Sequence, residues 1–404
     1  MQKLLYTCLL TLLTFTLSAQ DHPPHKVDYT ISSKAFGDER KITIYLPPSF
    51  YKYPEDKFIV TYVLDGHFDP FIDLVVKTLE YNSYMYKYIP TIVVGIHAKQ
   101  RGQEFSAPSP QGQNKNGKAP LLQQHFKNEV FPLVDSIYNA RVLPFKSLIG
   151  HSSGGTFVLY NLFSEEHDLF DAYLAISPAI RQNNAYILEK AAADLKQGKQ
   201  FPKFLYCASG TVGEREELFG GAIRRLDSTL QVYPNHKLLW RTSTFEGMGH
   251  WTCVPPALNA GMVILTRAFR VDEKMYFDFA NNKDATMTAQ IEAFYKNRKA
   301  TYGFIEIPIA GYLNQIGKAL INKEKRQAAL EVYDWSLKQH PAHYRLTRSR
   351  AELLLEMGNE QAAYTAFQDS LKLLEGMQAS MSAEDYEAHK EYLQEKLAAA
   401  NNKN

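Results

Sequence analysis

The chain of 404 residues is 45% hydrophobic and 22% charged, the composition of a globular protein with length for two or three domains, not of a disordered one. Its 45 basic and 43 acidic residues leave a formal net charge of +2, which gives no general attraction to nucleic acid or to an anionic membrane. No CxxC or HExxH pattern points to a metal, and no metal or organic cofactor is expected.

The first twenty residues predict an export signal. Lys3 gives a positive start, Leu4 to Leu17 is apolar, and Ser18-Ala19-Gln20 offers small residues for cleavage. The apolar stretch is short for a membrane span, which needs about 20 residues. Cleavage after Ala19 or Gln20 is expected, leaving a soluble periplasmic or secreted product with no membrane span. An uncleaved N-terminal anchor is the alternative. Cys207 and Cys253 then remain; export permits a disulfide between them, and two buried small hydrophobes would serve equally.

Strand-like runs follow at Lys41–Leu46, Phe58–Leu64, Thr91–Ile96, Ser147–Ile149, Ala172–Ile176, Phe204–Ala208 and Leu238–Ser243. Helical spacing lies between them, over Asp73–Tyr81 and over Leu121–Tyr138, the latter interrupted near Pro132. Alternating strands and helices predict an α/β fold with a mostly parallel sheet covered on both faces, over residues 21–272. From 273 the pattern is helical only: a linker at 273–309, then a small all-α tail at 310–404.

In that tail a 34-residue period pairs Gly317 with Ala351, Leu320 with Leu354, Ala329 with Ala363, Tyr333 with Phe367 and Ser336 with Ser370. Small residues recur where two helices cross closely, and aromatics fill the layer between pairs, as in tetratricopeptide repeats. Two units cannot bury a continuous core, so residues 276–309 and the helix from Ser382 to Ala400 are expected to pack as neighbours.

The stretch Ser147-Leu148-Ile149-Gly150-His151-Ser152-Ser153-Gly154-Gly155 carries the chemistry. An apolar run, a tight turn of small residues and a helix-compatible run place Ser152 on a strained turn at the edge of a sheet, as a nucleophile. A serine hydroxyl needs a base, and the base needs an acid to orient it. His250 is the expected base, since it follows the last strand in a glycine-containing loop. The acid should lie in Ser209–Glu217; Glu214, preceded by glycine, is the first choice and Glu216 the alternative, with Glu217 or an aspartate elsewhere behind them. Some of these acids would merely complement a helix start. The backbone amides of Ser153 and His67 are the expected oxyanion donors, the latter in the turn Leu64-Asp65-Gly66-His67.

These stretches resemble an esterase family of α/β-hydrolases that includes esterase D, feruloyl esterases, trilactone siderophore esterases and mycolyltransferases. The matching segments are YVLDGH, VVGI followed by Arg101, GHSSGG, AISPAI, LYCASGTVGE and FEGMGH, in order over about residues 37–270. The resemblance implies Ser152 as nucleophile, His250 as base, Glu214 as acid and the His67 and Ser153 amides as oxyanion donors. The acid loop is one residue longer than the family pattern, which keeps Glu216 open. The expected protein is an exported serine esterase acting on a small-molecule ester, through an acyl-enzyme. Its substrate would be a siderophore trilactone or an acyl or aromatic carbohydrate ester. Two competitors use the same fold: an acyltransferase with the same triad, and an inert scaffold that binds a protein partner through its helical tail.

Overall fold

The computed structural model describes residues 25–84, 89–108, 116–180, 185–304 and 308–401. The expected leader, with Cys8, lies outside them. Eight strands form one sheet: β1 (Lys26–Ser33), β2 (Asp38–Tyr45), β3 (Phe58–Leu64), β4 (Thr91–Ile96), β5 (Val142–His151), β6 (Ala172–Ile176), β7 (Lys203–Gly210) and β8 (Leu238–Phe245). Their order is β1-β2-β4-β3-β5-β6-β7-β8. The hairpin β1–β2 and the β2–β4 pair are antiparallel, and the remaining pairs are parallel.

All seven residues of β3 are buried, because successive side chains point to opposite faces and helices cover both. Phe58, Val60, Tyr62 and Leu64 enter one core, and Ile59 and Val63 the other. Strand β1 is absent from the sequence reading above. Its side chains alternate between exposed and half-buried at the sheet edge, so it lacks the apolar run that marks the inner strands. The predicted helix over 121–138 is a helix Ala119–His125, a π-turn Phe126–Val130 and a helix Phe131–Tyr138. Pro132 has no N–H for the preceding turn, and a locally widened turn is one way a helix accommodates that loss.

Beyond the helix Val254–Phe269, which lies on the sheet, all described elements are helical. Helices Glu273–Asn281 and Met287–Tyr302 share a core with Ala310–Asn322 and Arg326–Gln339. Tyr344–Glu356, Glu360–Glu375 and Ala383–Asn401 share the next. Gly317 is small for a definite reason: a Cβ there would come within 2.3 Å of the Tyr333 ring. No described helix is long and apolar enough to cross a membrane.

The helical region is tied to the α/β body by a buried ion network. Arg345 donates to Glu55 and Asp56, both at 2.5 Å, and His343 Nε2 lies 3.1 Å from Asp56. Burial alone would raise the Asp56 carboxyl, but the Arg345 charge and the His343 hydrogen bond hold it below its ordinary range. Removing Arg345 leaves two carboxylates facing each other without their cation. Arg345→Met should therefore lower unfolding stability by about 3–5 kcal/mol, read by urea denaturation. An unchanged midpoint would show that the network does not hold the two parts together.

Candidate active site

The parallel strands end together, and the expected site residues lie on the loops that follow them. Strand β5 ends at His151, and Ser152 takes φ 59° and ψ −118° before the helix Ser153–Leu162 begins. A left-handed φ is costly for a residue with a side chain, and the surroundings fix it. The Ser152 N–H donates to Ile176 at 2.9 Å, and its carbonyl accepts from Ala179 at 3.0 Å. A Cβ on Gly150 would strike the Gly154 backbone at 2.4 Å, so the glycine at 150 lets helix and strand meet. At Gly154 the nearest atom would be a Leu64 carbon at 3.4 Å, an ordinary contact. The tight approach thus falls on Gly150.

The register of β3 on β5 sets Val63 beside Ile149, which brings the turn after β3 alongside Ser152. In that turn Asp65 has φ 61°. A Cβ on Gly66 would meet the Gly95 backbone at 2.4 Å, so only glycine fits beneath His67. Arg101 fixes the turn through two charge-assisted bonds to Asp65, at 2.6 and 2.9 Å, and a third to the His151 carbonyl at 3.2 Å. One guanidinium therefore ties the His67 turn to the residue before Ser152. Ser153 opens its helix, where first-turn amides have no acceptor within the helix.

His250 lies over the same end of the sheet. Its ring centroid is 4.5 Å from that of His151, and its carbonyl is 3.0 Å from His151 Nε2. Burial and the neighbouring His250 push the His151 imidazole down to about 3. It is therefore neutral near pH 7 and adds no second positive charge beside His250.

The carboxylate that meets His250 is Glu216, not Glu214. Glu216 Oε1 stands 2.7 Å from His250 Nδ1, while its Oε2 accepts from the Gly210 N–H at 2.6 Å and the Ser177 hydroxyl at 2.9 Å. Glu216 is 1% exposed. Burial works against its ionisation, yet the bonds from His250, Gly210 and Ser177 outweigh it and hold the carboxyl below its ordinary value. Glu214 is the first residue of the helix Glu214–Val232 and points to solvent. The physical reason is helical phase: Glu216, Phe219, Gly220 and Ile223 form the buried face, which excludes 214 and 217. That spacing was present in the sequence and identifies Glu216.

Two features hold acid and histidine together. The carbonyl of Met248 accepts from Thr211 at 2.8 Å and Val212 at 3.0 Å, and a Cβ on Gly210 would lie 2.0 Å from that carbonyl oxygen. Ser177, at φ 42° and fully buried, reaches both Glu216 and Cys253. Its role was not anticipated, and neither was the Asp65–Arg101 clamp. Cys207 and Cys253 are buried free thiols, not a disulfide. An exposed rim of Phe68 and Trp251, 5.7 Å apart between ring centroids, flanks the site.

The Glu216 contact makes a spectroscopic prediction. A histidine Nδ1–H donated to a buried carboxylate gives a strongly downfield proton resonance. That resonance should vanish in Glu216→Gln and persist in Glu214→Gln; the reverse pattern would reinstate Glu214 as the partner.

Known proteins resemble this chain in sequence and in fold. The chain is 25% identical over 202 residues to the ferri-bacillibactin esterase BesA of Bacillus subtilis (strain 168), covering 45% of this chain and 67% of that one. It is 31% identical over 102 residues to a siderophore triacetylfusarinine C esterase of Aspergillus fumigatus, covering 25% of this chain and only 35% of that relative. The crystal structure of an IroE-like serine hydrolase from Shewanella oneidensis superposes with a TM-score of 0.66 at 19% identity. That match covers 78% of this chain and 99% of the other, and shows a shared hydrolase-like fold. The family model described as Putative esterase matches residues 33–259, more than half of the chain, and the protein belongs to that family.

Proposed function

We propose that the protein is an exported serine esterase whose triad is Ser152, His250 and Glu216. The observation that carries this reading is the buried Glu216–His250 pair beside a serine held at positive φ. Glu216 accepts the Nδ1–H of His250, which leaves Nε2 free to act as base. Nε2 takes the Ser152 proton as Oγ attacks the ester carbonyl. The amides of Ser153 and His67 then receive the developing oxyanion, each donor worth about 2.7–4 kcal/mol of barrier. Imidazolium returns the proton to the leaving alkoxide, releasing the alcohol. Water, deprotonated by the same nitrogen, attacks the acyl-enzyme and restores Ser152.

The substrate proposed first is a siderophore trilactone, with acyl or aromatic carbohydrate esters second. The names of the two curated relatives favour the first. Residues 1–20 are proposed as a cleaved export signal, residues 21–272 as the esterase domain, and the helices after 309 as tetratricopeptide-like. The 34-residue spacing and the Gly317–Tyr333 crossing support that last reading.

With p-nitrophenyl butyrate, Ser152→Ala should lower kcat by a factor on the order of 10⁶. Glu216→Gln should lower it by about 10⁴, while Glu214→Gln should match the wild type. A Ser152→Ala protein that retains the wild-type rate would remove Ser152 from the mechanism. Within a panel holding a ferric catecholate trilactone and methyl ferulate, the larger kcat/KM identifies the substrate class.

A further inference from the structure

The proposed nucleophile and base lie on separate loops, so their mutual placement needs a bond between those loops. Beyond its own turns and the helix that follows it, the His250 loop is held mainly by the segment after β7. The Gly247 N–H donates to Thr211 Oγ1 at 2.9 Å, the Met248 carbonyl accepts from Thr211 and Val212, and His250 Nδ1 meets Glu216. None of these bonds reaches β5, the strand that delivers Ser152. Another does. His151 is the last residue of β5, and its Nε2 lies 3.0 Å from the His250 carbonyl. A carbonyl only accepts, so His151 carries its proton on Nε2 and donates it to His250.

His151 is 2% exposed, and a buried N–H without an acceptor would cost stability. Packing alone does not call for that donor. The rings of His250, Trp251 and Phe71 stand 4.5, 4.7 and 6.0 Å from that of His151 between centroids, contacts that a phenylalanine would also make. The backbone of His151 is held as well: its carbonyl accepts from Arg101 Nη2 at 3.2 Å, and the same nitrogen donates to Asp65. A line of hydrogen bonds therefore runs from Asp65 through Arg101, His151 and His250 to Glu216. It joins the turn bearing His67, the strand end before Ser152, and the acid–histidine pair. Burial keeps the His151 ring uncharged at neutral pH, so the link puts no positive charge beside an imidazole that must itself become positive.

We propose that His151 is a positioning residue whose Nε2–H, donated to the His250 carbonyl, sets the His250 imidazole against Ser152. The role rests on the triad proposed above. His151 touches no reacting atom and transfers no proton. It fixes the backbone of the base while Glu216 fixes the ring, so two separate elements hold one residue at both ends. Such anchoring matters because a displacement of about 1 Å can cost about a hundredfold in rate.

The test compares three substitutions of His151 by kcat/KM on p-nitrophenyl butyrate, beside the wild type and Ser152→Ala. Glutamine carries an amide N–H about where Nε2 stands, asparagine ends a bond short of it, and phenylalanine keeps the ring without the donor. His151→Gln should stay within about threefold of the wild type, whereas His151→Asn and His151→Phe should fall by about tenfold to a hundredfold. Glutamine and asparagine lose the same ring contacts, so a packing role would slow both and spare phenylalanine. A wild-type rate in either the asparagine or the phenylalanine variant would overturn the assignment. So would a glutamine variant as slow as the asparagine one, a comparison that decides the matter if the phenylalanine variant does not fold. Ser152→Ala protein as fast as the wild type would instead bring down the triad, and this role with it.

Discussion

A carboxylate sealed from water stays ionised only if donors surround it. Glu216 has three: an imidazole, a backbone amide and a serine hydroxyl. Much of the site's architecture serves that one group. Gly210 is glycine because the Met248 carbonyl occupies the space of its Cβ, and the same approach draws the His250 loop down onto β7. Ser177 holds a positive φ with its N–H on Ala208 and its hydroxyl on Glu216. The imidazole is thus fixed through its Nδ1 side, which leaves the other nitrogen for the proposed role as base.

A second constraint acts from the other side of the serine. Arg101 binds Asp65 through two bonds and the His151 carbonyl through a third. It couples the turn bearing the proposed His67 amide to the strand end that delivers Ser152. Oxyanion stabilisation depends on donors fixed before the charge appears, and this clamp joins the two loops that bear the proposed donors. Asp65 and Ser152 are both non-glycine residues at positive φ; Arg101 binds the first directly and the residue before the second. Local strain at the site is therefore held by tertiary bonds, not by local sequence preference.

Much of this was legible in the sequence, and the omissions have physical causes. Inner strands announce themselves because burial on both faces demands unbroken apolar runs, as in Phe58–Leu64. Edge strand β1 does not, since only alternate residues are even half-buried. The small residues around Ser152 predicted its turn because a steric rule acts locally there. The choice between Glu214 and Glu216 turned on helical phase: a glycine before position 214 marked where the helix starts, but not which face turns inward. The buried spacing of 216, 219, 220 and 223 carries that information. The Asp65–Arg101 clamp joins residues 36 positions apart, and no local pattern encodes such a pairing. Likewise nothing in the 34-residue period announced that Arg345 would reach back to Glu55 and Asp56.

The helical region is anchored through Glu55 and Asp56, just before β3 begins, at the opposite end of the strands from Ser152, which leaves the candidate site bordered by its own loops and by the exposed Phe68 and Trp251. The central claim is that position 152 carries the only hydroxyl activated by His250. Mass mapping of the adduct formed with a fluorophosphonate tests it most directly. A single phosphonyl group on the peptide containing Ser152, formed at a rate that collapses when His250 is replaced by alanine, is the predicted result. An adduct on any other residue, or labelling at an undiminished rate without the imidazole, would contradict it.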